Sequence, residues 1–342
     1  MKIIIFNFES NHNSQALGFA IDWINALSCH VQKVYVISLR CGDFSVNSNV
    51  EIFCIEQNLK NKIKTILSII KTLYTIHRQD KINGYFVHMA HYFVPIIYPF
   101  ALFFRQKIIL WYAHKATPFS LRIANMLADK VLSSTTNGYN IKTSKLEIVG
   151  QGINTEKFFF KKNFSSKIRN IVVVGRISHV KNVDLIIKIF CDLQVEDVFL
   201  HIVGDAITQQ DKYYFEAIRA NIPKHLKERI VFRGAISFGV LPALYATMDL
   251  AVNLSDTGSL DKAILEPMAM GVPVITSNVS ARALFGHLDK KGIYLVDKKE
   301  DFKDILKEVL QNIMMVDRTH LREEIMHNHS LDQLAQKIVR AF

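Results

Sequence analysis

The chain has 342 residues, of which 49% are hydrophobic and 21% are charged. This composition excludes an intrinsically disordered protein, and the length favours two domains because single hydrophobic cores stop growing at roughly 250–300 residues. The net charge of +11 indicates a negatively charged partner, such as nucleic acid, a phosphorylated substrate or an anionic membrane. The sequence contains no zinc finger and no RNP-like strand, so we do not expect a nucleic-acid-binding protein.

Short sequence features narrow the range of cellular settings. The four cysteines, Cys29, Cys41, Cys54 and Cys191, lie far apart without a CxxC spacing. They indicate neither a zinc site nor a disulfide framework, which favours a reduced cytoplasmic protein. Residues 3–6 form a strand-like apolar run without the cleavage site of a signal peptide. The longest strongly apolar stretch, residues 93–104, is shorter than the roughly 20 residues of a membrane-spanning helix.

Short β-rich runs alternate with amphipathic segments of helical length along the whole chain. This pattern predicts an α/β protein with parallel sheets that are covered by helices on both faces. In the first half, strands are predicted near residues 2–6, 33–38, 51–55, 84–88, 107–112, 130–134 and 146–149. In the second half, they are predicted near residues 171–174, 199–203, 230–232, 250–254, 273–276 and 293–296. Each half therefore has enough strands for a sheet of its own.

The predicted boundary between the two halves lies near residue 160. A glycine-containing segment, 150–154, ends the first half, and the basic, polar stretch 161–170 has the composition of a linker. We therefore expect a first domain over residues 1–160 and a second over 161–329. Apolar residues at helical spacing in 331–342 predict a last helix that can pack back on the first domain.

A basic loop follows the first strand of the second half. It begins at Gly175, contains Arg176 and Lys181, and leads into a helix with apolar residues at helical spacing. A turn from a strand into a helix N-terminus offers free backbone N–H groups to an anion, and a glycine permits its close approach. Arginine and lysine add the charges that suit a diphosphate. The alternative from these residues alone is a solvated basic loop in a basic protein.

A carboxylate follows a later strand of the same half. Glu266 lies in a short predicted helix that ends at Gly271, just beyond the strand near residues 250–254. Ligands of open parallel sheets bind beyond the carboxyl ends of the strands, so Glu266 and the loop 255–262 are expected at that edge. Glu266 can accept hydrogen bonds from sugar hydroxyls there, or it can form an ordinary ion pair with Lys262 one turn earlier.

The order of several short segments resembles the C-terminal half of family 4 glycosyltransferases. The similarity covers residues 170–280 and extends more weakly through 111–115 and 149–153. Its most specific parts are Gly175-Arg176 followed by five intervening residues and Asn182, then Val203-Gly204-Asp205, Phe232-Arg233-Gly234, and the run from Leu265 to Pro273. The resemblance implies the GT-B fold, in which two Rossmann-like parallel-sheet domains face each other across a cleft. It also implies a nucleotide-sugar donor bound chiefly by the second domain, an acceptor against the first, and no metal.

The resemblance assigns roles to individual residues. Arg176 and Lys181 match the pair that holds the donor diphosphate and stabilises charge on the leaving nucleotide. Glu266 matches the second glutamate of the family's E-x7-E motif, which lies beside the donor ribose. His88, at the end of a strand, resembles the histidine beside the transferring sugar. These four are the predicted catalytic residues, and the predicted donor site also includes Gly175, Gly204, Asp205, Gly234, Ser255, Thr257, Gly258, Ser259 and Lys262.

The sequence departs from the family pattern at one important position. Gly258 stands where the first glutamate of the motif is expected, eight positions before Glu266. Asp256 or Asp261 can reach the same region, and the backbone amides of 257–259 can bind sugar hydroxyls or phosphate. The identity of the donor sugar is left open by this change. In the first domain, the loop 9–14 lacks the family's paired glycines, and the acceptor-side candidates are Asn13, Ser14, His91 and His114.

The family's reaction retains the configuration of the transferred sugar and is thought to need no protein nucleophile, because a donor phosphate oxygen accepts the acceptor's proton. The expected enzyme is a metal-independent hexosyltransferase without a cofactor. Its co-substrate is a UDP- or GDP-sugar, and its acceptor is a glycan or a lipid-linked molecule of surface-polysaccharide or glycoconjugate biosynthesis. Two alternatives are a catalytically degenerate GT-B partner subunit and a GT-B-fold sugar-nucleotide epimerase.

The segment 59–81 predicts a basic amphipathic helix. Basic amphipathic helices lie on anionic membrane surfaces, which suggests peripheral attachment to the inner face of the cytoplasmic membrane. The alternative is a helix whose apolar stripe faces the core and whose basic face is solvated. Its cations are Lys60, Lys62, Lys64, Lys71, Arg78 and Lys81, and its apolar residues include Ile63, Ile66, Leu67, Ile70 and Leu73.

Overall fold

The structure is a computed structural model that describes residues 1–14, 17–55, 62–161, 163–313 and 316–342. The chain divides into two compact units. Unit 1 contains Met1–Asn154, Ser237–Gly239 and Ser330–Phe342, and unit 2 contains Thr155–Ile236 and Val240–His329. Each unit is an α/β domain built on a parallel sheet, as the alternation of strands and helices predicts.

Unit 1 has a seven-stranded parallel sheet with the strand order β3-β2-β1-β4-β5-β6-β7. Residues 3–6, in the third strand of this order, are all apolar and at most 2% exposed, because helices cover both faces of the sheet. The strands are β1 (Lys2–Ser10), β2 (Lys33–Cys41), β3 (Val50–Cys54), β4 (Gly84–His88), β5 (Lys107–Trp111), β6 (Lys130–Ser133) and β7 (Leu146–Ile148). The helices are α1 (Phe19–Ser28), α2 (Lys62–Gln79), α3 (Val94–Phe104), α4 (Phe119–Leu127) and, from the end of the chain, α12 (Leu331–Arg340).

Unit 2 has a six-stranded parallel sheet with the strand order β10-β9-β8-β11-β12-β13. A hydrophobic cluster joins strands of this sheet to the apolar face of the helix that begins at Val183. The strands are β8 (Asn170–Val174), β9 (Phe199–Val203), β10 (Ile230–Gly234), β11 (Leu250–Asn253), β12 (Val274–Thr276) and β13 (Ile293–Leu295). The helices are α5 (Val183–Leu193), α6 (Gln209–Ala220), α7 (Leu241–Ala246), α8 (Lys262–Ala269), α9 (Val279–Phe285), α10 (Phe302–Asn312) and α11 (Arg318–Asn328).

The strand order reverses once in each sheet. In unit 1 the reversal lies between β1 and β4, and in unit 2 it lies between β8 and β11. Connections from the two neighbouring strands leave in opposite directions at such a point, which opens a crevice at the carboxyl ends of the strands. These two places are where each unit is best suited to bind a ligand.

The division between the units falls after Asn154 and not near residue 160. The segment after Asn154 packs on unit 2, where the side chain of Phe158 is fully buried. The guanidinium of Arg322 donates to the carbonyls of Thr155 at 2.9 Å and Phe158 at 2.6 Å. Both ends of the stretch 161–170, which was interpreted as a linker, belong to the folded unit. Lys161 donates a hydrogen bond to the Met248 carbonyl, and β8 begins at Asn170.

The expectation that the chain has no disulfide is wrong. Cys41 and Cys54 form a disulfide, while Cys29 and Cys191 are free. Cys41 ends β2 and Cys54 ends β3, and these strands are parallel neighbours in the sheet. A spacing of 13 residues therefore brings the two Cα atoms to 6.0 Å from each other, although it resembles no short cysteine motif.

Within the described residues, no helix is both long enough and apolar enough to cross a membrane.

Candidate functional site

Three glycines line the carboxyl edge of the sheet in unit 2. Gly175, Gly204 and Gly234 lie at the ends of the adjacent strands β8, β9 and β10 and have positive φ angles of 148°, 138° and 66°. A Cβ atom on Gly204 would lie only 1.9 Å from the carbonyl oxygen of Gly175. The two backbones can approach this closely only because position 204 is a glycine. The edge is therefore a floor of closely approaching backbone, to which these three positions contribute no side chains of their own.

Lys181 extends over this floor. The loop after β8 ends in a short 3-10 turn, His179–Lys181, and Asn182 with φ of 51° then leads into α5. The ammonium of Lys181 donates to the hydroxyl of Ser255 at 3.1 Å and to the carboxylate of Asp261 at 2.5 Å. Its Cε lies 3.6 Å from where a Cβ of Gly175 would be. Lys181 thus bridges the ends of β8 and β11, at the point where the strand order reverses.

The loop after β11 supplies the partners of Lys181. The carboxylate of Asp261 also accepts hydrogen bonds from Asn253 at 3.1 Å and from Thr257 at 3.2 Å. The hydroxyls of Ser255 and Thr257 lie 2.9 Å apart. These contacts form a polar cluster of five side chains, which we call the β11 cluster: Lys181, Asn253, Ser255, Thr257 and Asp261.

Helix α9 fixes the far side of the same loop. The Ser280 hydroxyl donates to the carbonyl of Gly258 at 2.6 Å, and the Asn278 side chain donates to the carbonyl of Ser259 at 2.8 Å. Of the three amides interpreted as an anion-binding segment, that of Thr257 already donates to Ser255. The amides of Gly258 and Ser259 donate to no acceptor in the part of the chain that the structure describes.

Glu266 is a buried carboxylate behind the β11 cluster. It lies on α8 and is 4% exposed. Burial raises the pKa of Glu266 to about 7, while the positive charge of Lys262 and a polar contact with the Tyr245 hydroxyl act in the opposite direction. The interaction with Lys262 considered from the sequence is thus present, but Glu266 is not the exposed partner of a surface ion pair.

Arg176 takes a different direction from Lys181. Its side chain is 45% exposed, and its Nε lies 3.9 Å from a carboxylate oxygen of Asp211 in the first turn of α6. Asp205 is exposed beside Gly234, with the Asp205 carboxylate 3.9 Å from the position of a Cβ on that glycine. The two cations predicted to act together therefore follow the same strand but have separate acidic partners.

From the sequence, either Asp256 or Asp261 was predicted to take the place of the glutamate absent at position 258. The structure separates them. Asp256 is exposed and accepts hydrogen bonds from Asn182 at 3.1 Å and from Lys299 at 2.7 Å. Asp261 instead accepts a hydrogen bond from the ammonium of Lys181 at 2.5 Å.

His88 ends β4 at the reversal point of the other sheet. Its side chain is 5% exposed and packs against Trp23, with ring centres 4.7 Å apart, and against Phe19 at 5.8 Å. The next residue, Met89, has φ of 61°, which is uncommon for a residue other than glycine and marks a tight turn after the strand. The position agrees with a ligand-binding edge, although aromatic rings enclose the imidazole.

The acceptor-side candidates have intramolecular partners. His91 contacts the Ser120 hydroxyl at 2.9 Å, and burial lowers the pKa of its imidazole. His114 accepts a hydrogen bond from the Ala116 amide at 3.1 Å. Asn13 donates to Asp43 at 3.0 Å, and Ser14 donates to Glu9 at 3.0 Å. Contacts within the protein are therefore sufficient to account for the positions of these four side chains. Their role in binding an acceptor stays a prediction.

Three further residues of this region were not predicted from the sequence. Asn253 supports Asp261, Asn278 holds the loop through Ser259, and Tyr245 faces Glu266 from α7. Asn253 and Asn278 carry a usable signal, since each is a polar residue at or just beyond the end of an apolar strand in the same sheet. Tyr245 has no such signal, because its place depends on how α7 packs against α8.

Comparison with known proteins agrees with this geometry. The model of the family "Glycosyl transferases group 1" matches residues 168–312, which include the whole β11 cluster. The resemblance to group 1 glycosyltransferases is confirmed for this segment. The narrower assignment to family 4 stays a prediction. No curated protein sequence matches the chain.

Several solved glycosyltransferase structures share the fold over nearly the whole chain. HepE from Anabaena, in complex with UDP and glucose, has a TM-score of 0.75 at 14% identity, covering 99% of this chain and 98% of HepE. A glycosyltransferase from Rickettsia africae has a TM-score of 0.76 at 16% identity, with 99% and 97% covered. The lipopolysaccharide outer core galactosyltransferase WaaB has a TM-score of 0.69 at 13% identity, with 100% and 99% covered. The chain has the GT-B fold.

Proposed function

We propose that this protein is a retaining glycosyltransferase that transfers a hexose from a UDP- or GDP-sugar to a glycan or lipid-linked acceptor. The observation that carries the proposal is the position of Lys181. Its ammonium lies over the glycine floor at the reversal point of the sheet, inside the segment that matches the group 1 model. A cation there can neutralise the diphosphate of the donor.

The chemistry of the site fits a nucleotide leaving group. Charge develops on the diphosphate as the bond to the sugar breaks, and a fixed cation beside it stabilises the transition state more than the ground state. Lys181 is already held in place by Ser255 and Asp261, so little reorganisation is needed when the reaction occurs. We assign Lys181 and the exposed Arg176 to the diphosphate, Glu266 to the ribose, and no metal or cofactor to the reaction.

Similar structures support the choice of substrates. HepE is described in complex with UDP and glucose, and WaaB acts in the outer core of lipopolysaccharide. By analogy we propose that unit 2 binds the donor, that unit 1 binds the acceptor beside His88, and that the product belongs to a surface polysaccharide or another glycoconjugate. The proposed pathway rests on the similarity of fold to these proteins. The proposed reaction class rests on the position and charge of Lys181.

We further propose that α2 attaches the protein to an anionic membrane from the cytoplasmic side. Ile63, Ile66, Leu67 and Ile70 are 38–70% exposed, and Lys64 and Lys71 beside them are exposed as well. An exposed stripe that combines apolar and basic residues is typical of helices that lie on anionic lipid surfaces. A membrane-bound enzyme would meet a lipid-linked acceptor in two dimensions. Lys60, which belonged to the predicted helix, lies outside the described residues.

A thermal-shift screen with UDP-, GDP- and ADP-sugars tests the donor site. Ligand that binds only the native state raises the midpoint of unfolding, so at least one of these donors is expected to stabilise the wild type. Lys181→Ala should weaken binding of that donor by roughly 10- to 100-fold, because it removes a charged partner of the diphosphate. Lys188→Ala removes an equal charge from an exposed position on α5 and should leave the shift unchanged.

The outcomes of the screen separate the candidate functions. If no donor stabilises the wild type, the proposal is wrong. Donor binding without transfer to any membrane-derived or glycan acceptor would instead favour a degenerate partner subunit. Conversion of the donor to an epimeric sugar nucleotide without an acceptor would favour an epimerase.

A further inference from the structure

We infer that Asp261 is the carboxylate that receives a hydroxyl of the donor sugar in this protein, in place of the glutamate that position 258 lacks. The inference rests on the proposed function of unit 2 and adds a specificity-determining residue to it. Asp261 lies three positions after Gly258, on the same loop.

The backbone at Gly258 explains why the carboxylate has moved. Gly258 has φ of 74°, in the left-handed region that disfavours residues with a side chain. The hydrogen bonds from Ser280 and Asn278 hold the carbonyls of Gly258 and Ser259 and thereby fix this conformation. A glutamate at 258 would be strained in this loop. The conformation of the loop therefore favours a glycine at this position, and the loop carboxylate that contacts Lys181 belongs to Asp261.

Asp261 is used differently from an ordinary aspartate at the start of a helix. It is the N-cap residue of α8, where an aspartate usually accepts a hydrogen bond from the backbone N–H two or three residues later. Its side chain makes no such bond. It turns instead towards Lys181, Asn253 and Thr257 at the carboxyl edge of the sheet. The Asp261 carboxylate thus forms its hydrogen bonds within the candidate site and does not cap the helix.

The carboxylate of Asp261 has room for one more donor. An ionised carboxylate offers about four acceptor positions. Three donors are present in the β11 cluster, and the side chain of Asp261 is 15% exposed, as that of Lys181 is 19% exposed. The pair is shielded from bulk water without being closed to a ligand. A hydroxyl group can complete the coordination of Asp261.

The chemistry of a nucleotide sugar places such a hydroxyl within reach. The anomeric carbon is bonded to an oxygen of the distal phosphate, so the sugar hydroxyls lie only a few bonds from the group that Lys181 binds. Because Asp261 contacts Lys181 directly, a sugar whose phosphate engages that lysine must lie beside the carboxylate. Asp261 then distinguishes a sugar nucleotide from the nucleoside diphosphate alone.

Calorimetric binding of UDP, UDP-glucose, GDP and GDP-mannose to the wild type and to Asp261→Asn tests this inference. The nucleoside diphosphate should keep its affinity within about 3-fold or bind more tightly, since Lys181 loses a competing anion. The corresponding sugar nucleotide should bind about 10-fold more weakly, because the sugar hydroxyl would then donate to a neutral amide oxygen in place of a charged carboxylate. Asp256→Asn is the matched control, since it removes a charge from the same loop at an exposed position, and it should leave both affinities unchanged.

A second variant guards against a change in the fold. Thr257→Val preserves the shape of the residue and removes one donor to Asp261, so it should weaken the sugar nucleotide selectively but less than Asp261→Asn does. If Asp261→Asn weakens both ligands equally, or leaves their ratio unchanged, the inference is wrong while the glycosyltransferase proposal stands. If the wild type binds neither UDP nor GDP, the proposed function itself fails.

Discussion

Glu266 has an unusual environment for a carboxylate. It is 4% exposed, and burial raises its pKa from 4.5 to about 7. Below pH 4.5 the group is protonated in both the folded and the unfolded chain, and above pH 7 it is ionised in both. Between these values the folded protein keeps a proton that the unfolded chain has lost. The contribution of Glu266 to stability therefore falls as the pH rises through this window.

We predict that Glu266→Gln abolishes this part of the pH dependence. Each pKa unit corresponds to about 1.4 kcal/mol, so the free energy of unfolding of the wild type should fall by on the order of 3 kcal/mol more than that of the variant between pH 4.5 and pH 7.5. Urea denaturation at several pH values measures the difference. Parallel pH profiles for the two proteins would show that the carboxylate is not held in its protonated form.

Helix α2 carries two apolar stripes rather than one. Ile69, Leu73 and Ile76 are at most 1% exposed and face the core, whereas Ile63 and Leu67 are 70% and 60% exposed. The interpretation that the apolar stripe simply faces the core is therefore correct for Leu73 and wrong for the other four residues that defined it. Burial in the core explains the inner stripe, and the outer stripe is explained by the proposed membrane surface.

A pair of substitutions on α2 separates these two stripes. Leu73→Ala should lower the free energy of unfolding by about 2–5 kcal/mol, since it leaves a cavity in the core. Leu67→Ala should change it by less than about 0.5 kcal/mol, yet it should weaken flotation with phosphatidylglycerol vesicles several-fold. Phosphatidylcholine vesicles are the control for charge. Equal flotation of wild type and Leu67→Ala, or no flotation with either lipid, would contradict the proposed surface.

At the scale of the whole molecule, the last helix belongs to the first unit. Leu334 and Ile338 of α12 are buried in the same hydrophobic cluster as Trp23 and Trp111. The Leu331 amide donates to the Ile153 carbonyl at 2.9 Å, which joins the helix to the segment where unit 1 first ends. Both tryptophans of the chain lie in this unit, so tryptophan fluorescence reports on unit 1 alone.

This distribution of tryptophans gives a test of the two-unit architecture. Ile338→Ala should lower the stability measured by tryptophan fluorescence by about 2–5 kcal/mol, even though the substitution lies only four positions before Phe342, the last residue. Ile186→Ala removes the same volume from the core of unit 2, where the side chain is 1% exposed. Ile186→Ala should lower the midpoint of unfolding that far-UV circular dichroism measures for unit 2. The midpoint measured by tryptophan fluorescence should stay unchanged. Identical fluorescence shifts for the two variants would mean that the units do not unfold separately.

Local sequence patterns were sufficient to predict the α/β architecture, the approximate position of each strand and the glycosyltransferase resemblance of the second half. Buried parallel strands are nearly continuous apolar runs, and the helices between them have a different period, so both are visible in local sequence. The basic loop with Gly175 and Lys181 was also visible, since the residues that form it are adjacent in the chain. Such patterns can be recognised from sequence because they involve only residues that are close together within one strand, helix or loop.

Contacts between residues that are distant in sequence could not be predicted, because they depend on how the elements pack. Lys181 and Asp261 are 80 positions apart, and nothing local distinguishes Asp261 from Asp256 as its partner. The Cys41–Cys54 disulfide, the two stripes of α2 and the boundary after Asn154 likewise depend on which elements pack together. Strand order at the reversal point places the loops after β8 and β11 side by side, and that adjacency creates the β11 cluster. The family resemblance was thus sufficient to predict where the candidate site lies. That Asp261 is the carboxylate beside Lys181 follows from the packing of the sheet.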